Sequence, residues 1–229
     1  MSFDLRAYRA VRAPEETSRL VPSRFPPVPA FERVSTAEDL EAVFELEGWT
    51  NDRLASTRLR QIPRADWVYG RPNASVVMAA FLHGAPRGQR FSGPELGAWY
   101  AASELRTALL EVANGLRKEM SLSAIGRMVE TYRQYQARLD GRFVDIFGLH
   151  PEFHDPDDST YPVSQPFGRH VREHGAEVGR IGIRYESVRR PGHENWVCFL
   201  PTAVRDVVQA GHFEIDVPPG GKVVVRRLS

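Results

Sequence analysis

The stretch LGAWYAASELRTALLEVANGL, Leu96 to Leu116, decides the architecture. Residues 96–101 are apolar or aromatic without helical spacing, which predicts a buried strand. Ser103 follows as a predicted helix cap. Leu105, Ala108, Leu109, Val112 and Leu116 then recur at the i, i+3, i+4, i+7, i+11 spacing of one helical face. Upstream, residues 75–82 (SVVMAAFL) read as another buried strand and residues 84–93 as a glycine-bearing loop. Downstream, Val129, Thr131, Tyr135, Ala137 and Leu139 favour a strand over 129–139, although the Gln and Arg content there also permits a helix. Residues 143–147, 178–185, 196–200, 207–215 and 222–225 read as strands, and 164–174 as a helix. Strands and helices are mixed without regular βαβ alternation, so the expected class is α+β.

The N-terminal side has a different texture. Residues 1–34 carry Pro22, Pro26, Pro27 and Pro29 and read as an extended or wrapping arm rather than a packed element. Ser35-Thr36-Ala37-Glu38 is a capping-box signal, with Leu40, Val43 and Phe44 at helical spacing and Gly48 as the stop. A second helix is expected from about Asn51 to Ile62, ended by Pro63. The expected division is an arm and helical extension over 1–74 and a main domain over 75–229.

Hydrophobic residues are 42% and charged residues 26% of the 229, which fits a chain that buries an ordinary core. Lys plus Arg number 30 against 29 Asp plus Glu; this near-balance argues against a protein built to coat nucleic acid or an anionic membrane. The lone cysteine, Cys198, excludes an intrachain disulfide, and a reducing cytoplasm is the simplest expected compartment. The opening MSFDLRAYRAVR shows no signal-peptide pattern, and the apolar run over 74–82 is too short to span a membrane.

His150 with His154, and His170 with His174, invite a metal reading. Pro151 breaks the first spacing and no cysteine or third histidine lies nearby, so no metal is expected. DPDDST at 155–160 lacks the glycine and terminal glutamate of a calcium loop. Walker, GxGxxG and GxSxG motifs are all missing from the sequence.

Two blocks carry possible chemistry. In GQRFSGPELGAWYAASELRTALLE (88–111), Arg90 lies in a glycine-flanked loop, Tyr100 near a strand end, and Glu111 at the margin of the helix's apolar stripe. A cation, a phenol and a carboxylate can thus converge on one concavity; the same spacing also fits a surface ion pair and a half-buried tyrosine. In RYESVRRPGHENWVCFL (184–200), a strand ends at Ser187, a basic turn follows, and Asn195 opens an apolar strand; alone this is a hairpin.

Taken together, the blocks resemble the RES domain, the toxin half of RES–Xre toxin–antitoxin modules. The matching segments are Gly88-Gln89-Arg90-Phe91, Trp99-Tyr100-Ala101-Ala102, the helix from Ser103 to Glu111, Tyr185-Glu186-Ser187-Val188-Arg189, and Asn195-Trp196-Val197-Cys198-Phe199. The likeness runs over roughly residues 75–205, and five segments in order are more specific than any one. Gln89 replaces a glycine of the family pattern and Phe91 a tryptophan. The long preamble is similar to extended, ParT-like forms.

This resemblance implies a mixed central sheet with flanking helices, similar to the diphtheria-toxin class of ADP-ribosyltransferases. It implies NAD as a consumed substrate without a metal. It puts Arg90, Tyr100, Glu111 and Ser187 at the NAD site, with Asn195 as a further candidate. Arg90 is expected on the pyrophosphate, Tyr100 stacked on nicotinamide, Ser187 on ribose or phosphate, and Glu111 beside the ribose that gains positive charge. The ADP-ribose acceptor is left open among water, phosphate and a protein target. The resemblance also implies a cognate Xre-type antitoxin that covers the cleft and itself carries the DNA-binding element. The competing expectation, motivated by the altered Gly88-Gln89-Arg90-Phe91 loop, is a non-enzymatic nucleotide-binding or regulatory module. Arg189, Arg190, Arg226 and Arg227 are too scattered for a nucleic-acid surface and read as solvated or partner-facing.

Overall fold

The computed structural model describes residues 3–25, 29, 31–48 and 56–229. Among them, nine strands form one sheet in the order β1-β5-β6-β7-β3-β2-β4-β8-β9. The strands are β1 (Ala10–Val11), β2 (Thr17–Pro22), β3 (Trp99–Ala102), β4 (Met128–Leu139), β5 (Phe143–Asp145), β6 (Gly182–Glu186), β7 (Glu194–Cys198), β8 (Val204–Val217) and β9 (Val224–Arg227). All pairings are antiparallel except β5 with β6, so the sheet is mixed and the class is α+β. The helices are α1 (Ala37–Gly48), α2 (Ser56–Leu59), α3 (Ala74–Leu82), α4 (Leu105–Leu122) and α5 (Tyr161–His174).

Alternation along the central strands assigns the layers. Trp99 and Ala101 of β3, with Trp196 and Cys198 of β7, join α3 in one apolar cluster. Tyr100 and Val197 face the other side, with Phe167 and Val171 of α5. Ala102 packs there too, with Ala108, Ala113 and Leu116 of α4. Helices α4 and α5 therefore share one face of the sheet.

Residues 75–82 are a helix, not the expected strand. Nearly every residue of α3 is buried, so it lacks the polar stripe that gives a helix its period, and its apolar run imitates a strand. Its start is fixed by Glu32, whose carboxylate accepts from Ser75 N (2.9 Å) and Ser75 Oγ (2.5 Å). Gly97 crosses α3 closely: a Cβ there would lie 2.2 Å from the Ala80 carbonyl oxygen.

The proline-rich arm also differs from expectation. Residues 17–22 form β2, an interior strand between β3 and β4. Thr17 and Ser18 are buried, and within the strand the one proline, Pro22, is its last residue, where a missing N–H is tolerated. The capping box predicts Ser35 as the cap of α1; instead Thr36 Oγ1 accepts from Asp39 N, so the cap falls one residue later. Residues 51–55 of the expected second helix lie outside the described residues; of the remainder, α2 covers Ser56–Leu59 and residues 60–62 form a turn.

Ser103 does not cap α4. Glu104 holds the N-cap position without a side-chain cap bond. The Ser103 hydroxyl instead donates to Glu194 (3.0 Å) and accepts from Trp196 Nε1 (2.8 Å), stitching the helix start to β7. Residues 129–139 resolve as a strand within β4, and residues 175–178, partly expected as strand, make a 3-10 turn before β6.

Candidate active site

A cavity of about 280 Å³ opens on the α4–α5 face. Arg90, Tyr100, Glu111 and Asn195 all line it, so four of the five sequence-derived candidates meet in one concavity. Ser187 sits just behind.

Glu111 projects from α4 at the margin of its apolar face, as its helical position predicts. Its Oε1 accepts from Ser187 Oγ (2.6 Å) and Asn195 Nδ2 (2.9 Å). Among the described residues Oε2 takes no hydrogen bond. The Ser187 hydroxyl in turn accepts from Arg190 N (3.1 Å), and the residue is only 1% exposed. The Ser187 hydroxyl is thus engaged by Glu111 and the Arg190 backbone, and Ser187 is not among the residues that line the cavity. The hairpin joining β6 to β7 brings Ser187 and Asn195 to the same oxygen, because Tyr185 and Asn195 are register partners.

Arg90 sits at the tip of a tight turn closed by Gln89 and Ser92, whose backbones exchange bonds of 2.7 and 3.2 Å. Gly88 enters the turn at φ +71, and a Cβ there would lie 2.3 Å from the Ser92 carbonyl oxygen, so glycine is required. Gln89 needs no such freedom; it lines the cavity beside Arg90. Arg90 donates to the carbonyls of Phe153 (2.6 Å, Nη1) and Asp155 (3.0 Å, Nη2), and its guanidinium lies 5.1 Å from the Tyr161 ring centroid. Ser164 Oγ donates to the Arg90 carbonyl, and Gln165 Nε2 to that of Gln89 (3.1 Å). Helix α5 thus fixes the turn from below. Phe91, in the place of the family tryptophan, is fully buried against Tyr185, edge to face at 5.0 Å.

Tyr100 presents its ring to the cavity while its hydroxyl turns to the loop. The hydroxyl accepts from Phe91 N (3.0 Å) and pairs with Ser92 Oγ (3.1 Å). Burial pushes the phenol up to about 12, so it stays protonated near neutral pH. Burial also raises Tyr185, another lining residue, far above the ordinary phenol value.

Arg19 was hidden from sequence reasoning. Strands β2 and β3 share a single registered pair, Ser18 with Ala102, and then part. Arg19 fills the split, donating from Nη1 to the Tyr100 carbonyl (3.0 Å) with its guanidinium 5.0 Å from the Trp99 ring centroid. Burial pulls it down to about 10, which leaves it charged at neutral pH, and Nε is buried without a partner among the described residues. Arg19 and Arg90 thus line the same cavity as Glu111. The available signal was the run TSRLV at 17–21, read instead as part of an arm because of the prolines that follow.

The histidine pairs are engaged elsewhere: His150 with Tyr8 (2.9 Å) and Glu152 (3.1 Å), His170 with the Phe3 carbonyl (2.8 Å), and His174 with Glu177 (3.2 Å). Among the described residues no group of three or more His, Cys, Asp or Glu is arranged to hold a metal, and no helix is long and apolar enough to cross a membrane.

The sheet and its helices define an α+β protein with a cleft lined by Arg19, Arg90 and Glu111. A family model of the RES domain matches residues 58–218, and the chain belongs to that family, which is associated with toxin–antitoxin systems. The match begins ahead of residue 75 and takes in α3. The uncharacterized protein y4oC of Sinorhizobium fredii (strain NBRC 101917 / NGR234) is 30% identical over 182 residues, covering 77% of this chain and 72% of that protein.

Proposed function

We propose that this chain is a toxin that consumes NAD by cleaving the bond between nicotinamide and ribose. The observation that carries the reading is Glu111, oriented by Ser187 and Asn195 with one oxygen left for a ligand, in the same cavity as Arg90 and Arg19. Cleavage develops positive charge on the ribose, and a fixed carboxylate beside it lowers the barrier. Two unit charges 4 Å apart interact by about 4 kcal/mol at an effective dielectric of 20. Realised mainly in the transition state, that is on the order of a thousandfold in rate. The guanidinium groups supply permanent positive charge for the pyrophosphate. The Tyr100 ring offers a face for nicotinamide, and its bonded hydroxyl keeps the Arg90 turn in place. No protein nucleophile is required, because nicotinamide leaves from an already cationic linkage.

The acceptor is a protein target, phosphate or water; all three use one donor site. A cognate Xre-type antitoxin restrains the toxin by covering the cleft near Arg90. The test is nicotinamide release from NAD by the purified chain, with phosphate varied and with or without cell lysate. Release is expected from the wild type and a loss of about a thousandfold from Glu111→Gln, which keeps the side-chain size. Equal release by both proteins would reject the assigned role. Binding of NAD with no release under any condition would favour the non-enzymatic reading, for which Gln89 lining the cavity is the motive.

A further inference from the structure

The segment that seats Arg90 is joined to the strand end that orients Glu111 through one imidazole. His154 lies between Phe153 and Asp155, whose carbonyls take the two ends of the Arg90 guanidinium. Its Nδ1 is 3.0 Å from the His150 carbonyl oxygen. A carbonyl only accepts, so Nδ1 carries the proton. Its Nε2 accepts from Glu186 N at 3.3 Å. Glu186 directly precedes Ser187, which donates to Glu111. Both ring nitrogens are therefore matched only in the neutral, Nδ1-protonated tautomer.

We propose that His154 is a positioning residue: its neutral imidazole couples the Arg90 seat to the Ser187–Glu111 arm, and protonation uncouples them. An imidazolium would turn an N–H of Nε2 against the N–H of Glu186, replacing a bond with two opposed donors. The charged or titratable groups that act on the ring are Arg90 from the turn, Glu186 and Tyr185 from β6, and His150 and Glu152 from the segment just before it. Burial, and secondarily the Arg90 charge, holds His154 below the ordinary histidine value, in the sense the bonding demands. A parallel tie exists, since Arg189 Nη2 donates to the Pro156 carbonyl (2.7 Å), but no titratable proton is at stake in it at neutral pH.

The activity arm of the test rests on the NAD reading; the spectroscopic arm does not. In protein labelled with 15N at histidine, the resonances lost in His154→Gln identify the ring. The expected result is an Nδ1–H tautomer that protonates below about 6.5. Amide exchange is expected to lose protection at Glu186 and Arg190 through the same transition, and to lose none in His154→Gln, which keeps an acceptor but does not titrate. An Nε2–H tautomer, or protection independent of the ring's charge, would overturn the proposal. In turnover, wild-type kcat/KM for NAD is expected to fall about tenfold per pH unit below the His154 transition. His154→Gln is expected to lack that limb while staying within a few-fold of wild type at pH 8. The same acid limb in both proteins would overturn the coupling. Inactivity on NAD at every pH would reject the NAD reading alone, leaving the ring and amide measurements to decide.

Discussion

Removing the Ser187 hydroxyl tests how the site holds its carboxylate. Ser187→Ala deletes the 2.6 Å bond to Glu111 and leaves Asn195 as the one remaining donor to that oxygen. A hydrogen bond to a charged group contributes about 1.5–3 kcal/mol. If that energy orients Glu111 in the transition state, kcat/KM for NAD should fall by roughly ten- to a hundredfold. Because Ser187 is buried behind Glu111, the loss should sit in kcat more than in KM. The assay is steady-state nicotinamide release by Ser187→Ala, Glu111→Gln and the double variant, with thermal unfolding run alongside to separate a folding defect. If the serine acts through the carboxylate, the two losses are strongly non-additive, and Ser187→Ala costs at most a few-fold in the Glu111→Gln background. Additive losses would show that Ser187 meets the ligand itself and would refute the arrangement derived above.

Arg19→Met should raise KM for NAD by about tenfold or more, while stability changes by no more than about 1 kcal/mol, because the buried guanidinium already lacks a partner at Nε; calorimetric binding and thermal melts check both. Gly168→Ala should destabilise the chain by about 1–3 kcal/mol, since a Cβ there would lie 1.9 Å from the Phe91 carbonyl oxygen, and should disturb the adjacent Arg90 turn; denaturant unfolding measures the first effect and NAD affinity the second. Stability should fall as pH drops below about 6.5, because the unfolded chain then binds a proton that folded His154 refuses, and the fall should end once the folded ring also protonates. Unfolding curves at several pH values should show this slope reduced in His154→Gln.

What could be read from the chain tracks where side chains carry the signal. The β3–α4 unit was legible because its apolar positions change from an unbroken run to a helical period within a few residues. Glu111 was legible for the same reason, since its place on that period puts it at the seam. Arg90 and Tyr100 stood out through their motif neighbours. Helix α3 was misread because burial on every side removes the period that separates helix from strand. Arg19 was missed because β2 gains its partners, β3 and β4, from residues some 80 to 120 positions away, and nearby prolines dominate the local reading. The seat of Arg90 was illegible for another reason: it is made of backbone carbonyls at 153 and 155, which any residue supplies. Ser187 was recognised by position, but its bond to Glu111 depends on a strand register that the local sequence does not show.

A crystal structure of the Glu111→Gln protein with intact NAD would examine the donor site itself. The expected result is a pyrophosphate against the guanidinium groups of Arg90 and Arg19, with the nicotinamide-bearing ribose in contact with residue 111. A dinucleotide seated outside this cleft, or bound with its pyrophosphate turned away from Arg90, would contradict the assignment.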